Sequence, residues 1–389
     1  MSIATAPFSV ETGTADPASI PVVERARRLV PTLAERAPEF DEADRFVAAN
    51  YALLKEAGLM EAGVPRELGG SGAEVRELAE MLRVLAHGCG ATALAFSMHT
   101  HQVAVPAWRW RHQKLQGAEP LLRRIATERI IILSSGGSDW IGGSGRAEKV
   151  EGGYRIFATK VFSSGSPAAD LMMTTAIVTE EEGESVIHFA VPMTAPEVRV
   201  LDNWRALGMR GTGSNDVAID GLFIPDVAVA LKRKAGEWHP LFQIIASTAF
   251  PLVYGVYLGL AERARDIAIG MAKQRRPGDD LLTLAGRMET ALRAARLAHD
   301  WMLRAVERNQ PSAESVNDVM TGRTLVAENA IRTVELAMEL VGGAGFLRRN
   351  GLERLFRDIQ GARYHPLQPG PQARYAGAMA LGLPVSRIF

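Results

Sequence analysis

The chain has 389 residues, 47% of them hydrophobic, enough to bury a large core in roughly two or three domains or one multilobed unit. Forty-four Lys and Arg balance forty-four Asp and Glu, so no net field draws the chain onto nucleic acid or an anionic membrane, and a small-molecule ligand fits better. The single cysteine, Cys89, excludes an intramolecular disulfide framework and any Cys-based zinc or iron–sulfur site, a usage that suits a reducing, cytoplasmic setting.

Residues 1–20 read as a flexible leader, because they lack the charged-then-apolar order of a secretory signal. From 21 to 128 the apolar residues recur at helical spacing, as in Ala43, Phe46, Val47, Tyr51 and Leu54, and again in Leu78, Met81, Leu82 and Leu85. This predicts an N-terminal helical domain. Its one marked interruption, GVPRELGGSGAE, reads as a loop in which Gly69 and Gly70 permit positive φ. Cys89, in the small-residue run HGCGATALA, reads as a buried packing thiol. The aromatic and basic run WRWRHQK, Trp108 to Lys114, reads as an amphipathic helix with a packing or subunit-contact role.

Between 129 and 230 the period drops to about 2 and turn signals become dense, which predicts a central β domain, an antiparallel barrel or sandwich. Glu151-Gly152-Gly153 marks a hairpin, with strands following around Leu171–Val178 and Val186–Val191. From 231 to 389 the helical period returns. Leu281, Leu284, Met288, Ala291, Ala295, Met302 and Val306 keep to one face, and Val334, Met338 and Val341 repeat the pattern before Gly342 and Gly343 stop it. A C-terminal helical bundle is expected. The order helices, strands, helices disfavours a Rossmann domain. No apolar run reaches the roughly 20 residues of a membrane-spanning helix, since the longest, 249–261, is broken by Pro251 and glycines.

Two segments carry a resemblance. LGMRGTGSNDVAIDGLFIP, Leu207 to Pro225, is a glycine-rich turn feeding an alternating strand, and ELVGGAGFLRRNGLERLFRDIQGARYHPL, Glu339 to Leu367, joins a Gly-Gly-x-Gly turn to an Arg-Asp pair. Over nearly its whole length the chain resembles the acyl-CoA dehydrogenase superfamily. The resemblance implies a flavoprotein with helical, β and helical domains, FAD held where they meet, and a homotetramer or at least a homodimer. It also implies a catalytic glutamate, which here falls on Pro366. The family's other location for that base is Ala249, and its active-site arginine position is Phe250. Both known places for the base lack a carboxylate.

The resemblance further implies cofactor contacts. SSGGSDW, Ser134 to Trp140, presents hydroxyls and backbone N–H groups, so Ser134, Ser135, Gly137 and Ser138 are candidate flavin contacts. KVFSSGSPAAD puts Phe162, Ser163 and Ser164 where dehydrogenases keep a tryptophan and threonine over the flavin. That wording is similar to the branch of flavin-dependent monooxygenases sharing this fold, with the type-2 C-terminal domain. Arg275 matches an arginine that reaches a neighbouring subunit's flavin, and Gly342, Gly343 and Gly345 let backbone approach that cofactor, with Gln368 completing the set.

His365, beside the vacant base position, can hydrogen-bond an oxygenated flavin or accept a proton from a phenol, thiol or enolisable substrate. His99 and His101 stand at i and i+2 and do not share a helix face, so a shared metal is disfavoured; one of them enters the pocket, and the reading leans to His99. Two functions remain close to balanced: oxidation of a CH–CH unit such as an acyl thioester, with a displaced base or relay, and two-component monooxygenation with reduced flavin, FMN or FAD, from a separate reductase. A non-catalytic flavin-binding protein is the third. An electron acceptor would replace the reductase as partner in the first case.

Overall fold

The structure is a computed structural model that describes residues 20–139 and 142–385. Helical spacing in the first segment becomes α1 (Val22–Glu42), α2 (Ala48–Glu56), α3 (Val75–Gly88), α4 (Gly90–Gln113) and α5 (Glu119–Glu128). The GATALA run that opens α4 is buried on every side, and its small side chains let helices come close. A Cβ on Gly90 would lie 2.6 Å from Leu260 Cδ2, on the long helix α6 (Leu241–Ala272) of the last segment. Gly69 has the positive φ expected of it, whereas Gly70 is a glycine for space: a Cβ there would lie 2.2 Å from the Val64 carbonyl oxygen. Trp108 donates its indole N–H to Asn309 and Trp110 to Glu119, so the aromatic and basic run packs within the chain.

The middle segment forms β1 (Ile132–Ser134), β2 (Arg146–Val150), β3 (Gly153–Lys160), β4 (Leu171–Glu180), β5 (Gly183–Pro192), β6 (Val198–Val200), β7 (Val217–Pro225) and β8 (Leu231–Lys234) in one sheet. Its path is β6-β7-β3-β2-β4-β5-β8, with β1 beside β4. The expected antiparallel domain is a mixed sheet. β1 pairs with β4 in parallel, Ile132 opposite Leu171, and β2 meets β4 through one parallel bridge. The parallel pairing has a topological cause, since β1 arrives directly from the helical domain and needs a crossover to lie beside β4.

The last segment adds α7 (Asp279–Glu307), α8 (Ala313–Val341), α9 (Leu352–Ile359) and α10 (Pro369–Ala380) to α6. A reciprocal capping box starts α8, with Ser315 N donating to Ser312 Oγ and Ser312 N to Ser315 Oγ. Pro251 does not break α6. The helix runs on through it for 32 residues, long and apolar enough to cross a membrane, with 94% of its most apolar window buried in the protein core. One core cluster unites α1, α3, α4, α6, α7 and α8, and a separate cluster fills the sheet.

All three segments meet at α9. Arg357 makes two bonds to Asp41 of α1, at 3.0 and 2.5 Å, and a third to the Leu207 carbonyl before β7 at 3.2 Å. The next residue, Asp358, accepts the backbone N–H of Met209. Gly208 lies so close that a Cβ would stand 2.3 Å from the Arg357 carbonyl oxygen. Removing one partner leaves a poorly hydrated charge, so Asp41→Ala is expected to lower the unfolding free energy by about 2–3 kcal/mol in urea melts. Glu353→Ala, which removes only the i,i+4 pair within α9, is expected to cost about 0.5 kcal/mol.

Candidate functional site

Helix α4 and strand β1 lie side by side, and two histidines bridge them differently. His99 is 1% exposed, and both its ring nitrogens serve backbone: the Ile132 N–H donates to Nδ1 at 3.1 Å, which puts the ring hydrogen on Nε2, 2.8 Å from the Met60 carbonyl. It staples a loop to a strand. The leaning towards His99 is therefore corrected, because no ring nitrogen is left for a ligand. His101 gives its Nδ1 hydrogen to the Ser97 carbonyl at 3.0 Å, so Nε2 is an acceptor, with the Ser134 hydroxyl at 3.3 Å and the Gln102 amide at 3.2 Å. Burial pushes both imidazoles down to about 4, so both are neutral near pH 7.

Beyond Ser134 the chain turns. Gly136 N donates to the Val161 carbonyl at 3.1 Å, tying this loop to the end of β3. Ser135 points away from any ligand, into a buried polar cluster. It donates to Asp139 and pairs with Thr174 at 2.8 Å, while Lys160 Nζ reaches Asp139 at 3.0 Å and the Ser144 carbonyl and hydroxyl at 2.8 and 2.9 Å. Lys160 is 0% and Asp139 4% exposed. This ion pair beneath the loop was not foreseen from the sequence, although both residues lie in the motifs quoted above. The Ser138 side chain and Trp140 lie outside the described residues.

Two residues past the end of β3 at Lys160, Phe162 is held at φ +53°, a conformation that costs a non-glycine residue about 1–3 kcal/mol. The Phe162 ring is 62% exposed and meets the edge of Trp204 at 6.1 Å. Trp204 is fixed in turn by Asn215, whose Oδ1 accepts the Trp204 N–H at 2.9 Å, and by its own indole bond to the Met209 carbonyl. Ser163 and Ser164 do not offer hydroxyls to a flavin. Ser163 Oγ donates to the Lys160 carbonyl, and Ser164 Oγ joins Ser214 and Thr212 in a buried chain ending on the Met209 carbonyl. Each hydroxyl would be orphaned if it turned outward, so they face inward and Phe162 faces out.

Pro366 closes the ring of residues. Pro366 packs on the loop so tightly that a Cβ on Gly137 would lie 2.0 Å from Pro366 Cγ. His365, half-buried beside it, tilts over the Tyr257 ring at 5.6 Å and makes no side-chain hydrogen bond within the described residues. Burial first, then the nearby Arg323 charge, holds its imidazole down at about 4. Ala249 and Phe250 are buried in α6. Ser134, Gly137, Phe162, His101 and His365 with Pro366 thus gather around one turn, where an uncovered aromatic ring lies beside backbone of a glycine-rich loop. These features fit a flat heterocycle such as isoalloxazine.

A second group lies elsewhere. Arg275, just past α6, donates to the Leu340 carbonyl at 2.7 Å and so caps the end of α8. Gly342, at φ 69° and ψ −147°, adopts a glycine-only conformation, and neither Gly342 nor Gly343 has an atom within 4 Å of where a Cβ would sit. Gly345 instead packs on Leu352 and Met338, and Gln368 is the exposed N-cap of α10. Arg275 and the open glycine turn share one edge of the bundle.

The fold and this site define a three-domain flavoenzyme. Family models for the acyl-CoA dehydrogenase N-terminal, middle and C-terminal domains match residues 21–118, 134–222 and 251–365. The chain belongs to the acyl-CoA dehydrogenase superfamily and is a flavin-dependent oxidoreductase. It is 27% identical to L-evernosamine nitrososynthase of a Micromonospora species, over 94% of this chain and 91% of that one. It is 24% identical to the oxygenase component of p-hydroxyphenylacetate 3-hydroxylase of Acinetobacter baumannii, over 89% and 85%. The structure of KijD3 with FMN and dTDP-3-amino-2,3,6-trideoxy-4-keto-3-methyl-D-glucose aligns at a TM-score of 0.86 and 25% identity, over 96% of each chain. Dehydrogenases also stand among the matched relatives.

His99 makes a titration test possible. Its folded-state pKa lies below the unfolded value, so the unfolded chain binds the extra proton and stability is lost as pH falls from about 6.5 towards 4. His99→Gln is expected to remove about 1.4 kcal/mol per pH unit from that slope. Asp358, raised to about 6 by burial, acts in the opposite sense, so urea melts of variant and wild type are compared at each pH.

Proposed function

We propose that this chain is the oxygenase of a two-component flavin monooxygenase, transferring one oxygen atom from O2 to a nitrogen or electron-rich carbon of a small polar substrate, an amino sugar or a phenol. The observation that carries this reading is Pro366 packed onto Gly137 where thioester oxidation needs a carboxylate. An unacidic α-proton demands a positioned base. An imidazole held at about 4, as His365 is, has too little proton affinity for that task.

When bound, reduced flavin supplies the two electrons that activate oxygen. Phe162 and Trp204 then offer the apolar face beside the Gly136–Gly137 turn, whose glycines make room for Val161 and Pro366. Ser134, its hydrogen directed at His101 Nε2, turns a lone pair towards the ligand side and accepts a hydrogen bond there. His365, neutral and without a partner among the described residues, both donates to a nearby oxygen and accepts from a substrate amine or phenol. The relatives named above act on amino sugars and a phenol, which supports this substrate class. The name of the hydroxylase relative, an oxygenase component, supports a separate reductase as partner.

The cofactor is a flavin whose ring occupies this turn, FMN or FAD. In an oligomer, Arg275 and the open Gly342–Gly343 turn are placed to meet the phosphates of a neighbouring subunit's cofactor. A homotetramer or homodimer follows from this reading. Superfamily membership favours oxidation of a CH–CH unit as a second reading.

Wild type mixed with reduced FMN or FAD, 18O2 and a panel of amino sugar nucleotides and phenols is expected to place 18O in a product. His365→Ala is expected to lower product per flavin oxidised by roughly a hundredfold, with a matching rise in hydrogen peroxide. No 18O in any product, together with anaerobic bleaching of the bound flavin by an acyl-CoA, would replace the oxygenase reading with the second.

A further inference from the structure

The position of His365 is set from behind by one side chain of α8. Arg323 is 0% exposed and heads the large side chains that are fully buried. Its Nη2 donates to the carbonyls of Ala362 at 3.1 Å, Arg363 at 3.4 Å and His365 at 2.7 Å. The guanidinium also lies 5.1 Å from the centre of the Tyr254 ring, and the Tyr254 hydroxyl donates to the same Ala362 carbonyl at 2.9 Å. Among the described residues no carboxylate forms a salt bridge with Arg323, and its Nε and Nη1 have no acceptor.

Such a group is costly. A buried cation without a counter-ion, with donors left over, is poorer for stability than an apolar side chain of the same volume. What it does achieve is a fan of bonds onto the carbonyl end of the turn 360–363, where the peptide dipoles leave partial negative charge. Three residues further on, Pro366 meets Gly137.

We propose that Arg323 is the positioning residue of the His365 segment, gripping three of its carbonyls so that Pro366 stands against Gly137 and the neighbouring His365 ring is held on Tyr257. Burial is the first cause of the low pKa of the imidazole, and the same charge, bonded to the His365 carbonyl, adds to it. The Tyr257 ring that meets His365 has Tyr254 and Asp358 among its own charged and titratable neighbours, and the flanking Arg363 is exposed and bonds Gln360. The importance of the segment for oxygen transfer rests on the function proposed above, whereas the grip does not.

Two measurements on full-length protein test this. In Arg323→Met, hydrogen exchange over residues 360–368 is expected to rise about tenfold while the rest of α6 and α8 is unchanged. The His365 imidazole, followed by NMR of 13C-labelled histidine and identified by its loss in His365→Gln, is expected to titrate about one pH unit higher. Arg323→Gln keeps an amide donor without the charge. It is expected to fold, to retain part of the exchange protection and to show the same raised midpoint, and it serves alone if the methionine variant does not fold. Exchange over 360–368 equal to wild type in the folded variants overturns the positioning role, and an unmoved His365 midpoint overturns the electrostatic one. Both readouts stand even if wild type transfers no 18O, so failure of this inference and failure of the oxygenase reading are told apart.

Discussion

Arg357 and Asp358, adjacent on one short helix, hold the three domains to one another. Their side chains work in opposite directions along the charge scale: the guanidinium reaches out to Asp41 of the first domain and a carbonyl of the second, while the carboxylate takes a backbone N–H of the second. The glycine at 208 is what allows the two backbones to touch, since any Cβ would strike the Arg357 carbonyl. From this junction the chain runs directly through 360–363 to His365 and Pro366, and from Met209 it runs to the Thr212–Ser214–Ser164 hydroxyl chain under Phe162. The positions of the site residues are thereby tied to the docking of domains rather than to any one of them.

The electrostatics of the site follow from what surrounds it. His101 and His365 are kept uncharged by burial, Lys160 and Asp139 neutralise one another beneath the loop, and Arg323 behind the His365 segment is the exception, a buried cation held by carbonyls. An unpaired charge at such depth would cost several kcal/mol, on the order of the whole stability of a domain. The ion pair also serves geometry, since Asp139 collects bonds from Ser135, Ser144, Thr174 and Lys160 and so pins both ends of the glycine-rich turn. A turn held this way presents backbone at a fixed place without needing side chains of its own.

The readable parts of the sequence were those governed by local pattern. The periods of 3.6 and 2 marked helices, strands and their order, and the Gly137, Phe162, His101 and His365 neighbourhoods lay in motifs that stood out as text. The direction of a side chain was not readable. His99 and His101 sit two residues apart on a helix buried all round, so neither could be assigned to the pocket by amphipathicity; the choice was made by which ring met two backbone groups and which met Ser134. Ser163 and Ser164 looked like outward hydroxyls, yet buried acceptors claimed both. Trp204 carried no motif and enters the site only because Asn215, eleven residues later, holds its backbone. The parallel pairing of β1 with β4 was likewise invisible, because strand partners far apart in sequence leave no trace in either strand's own period.

The sequence by itself determined the superfamily and the succession of helical, β and helical domains, because each is a matter of residue identity at a position within a local pattern. Tertiary structure alone decided which histidine faces the turn, that Pro366 seals against Gly137, and that a buried arginine 42 residues before His365, in no obvious motif, grips the segment carrying it. Those outcomes depend on which polar groups find partners when separate segments dock, and a buried polar group takes the partner that the fold brings within about 3 Å, whatever its neighbours in sequence.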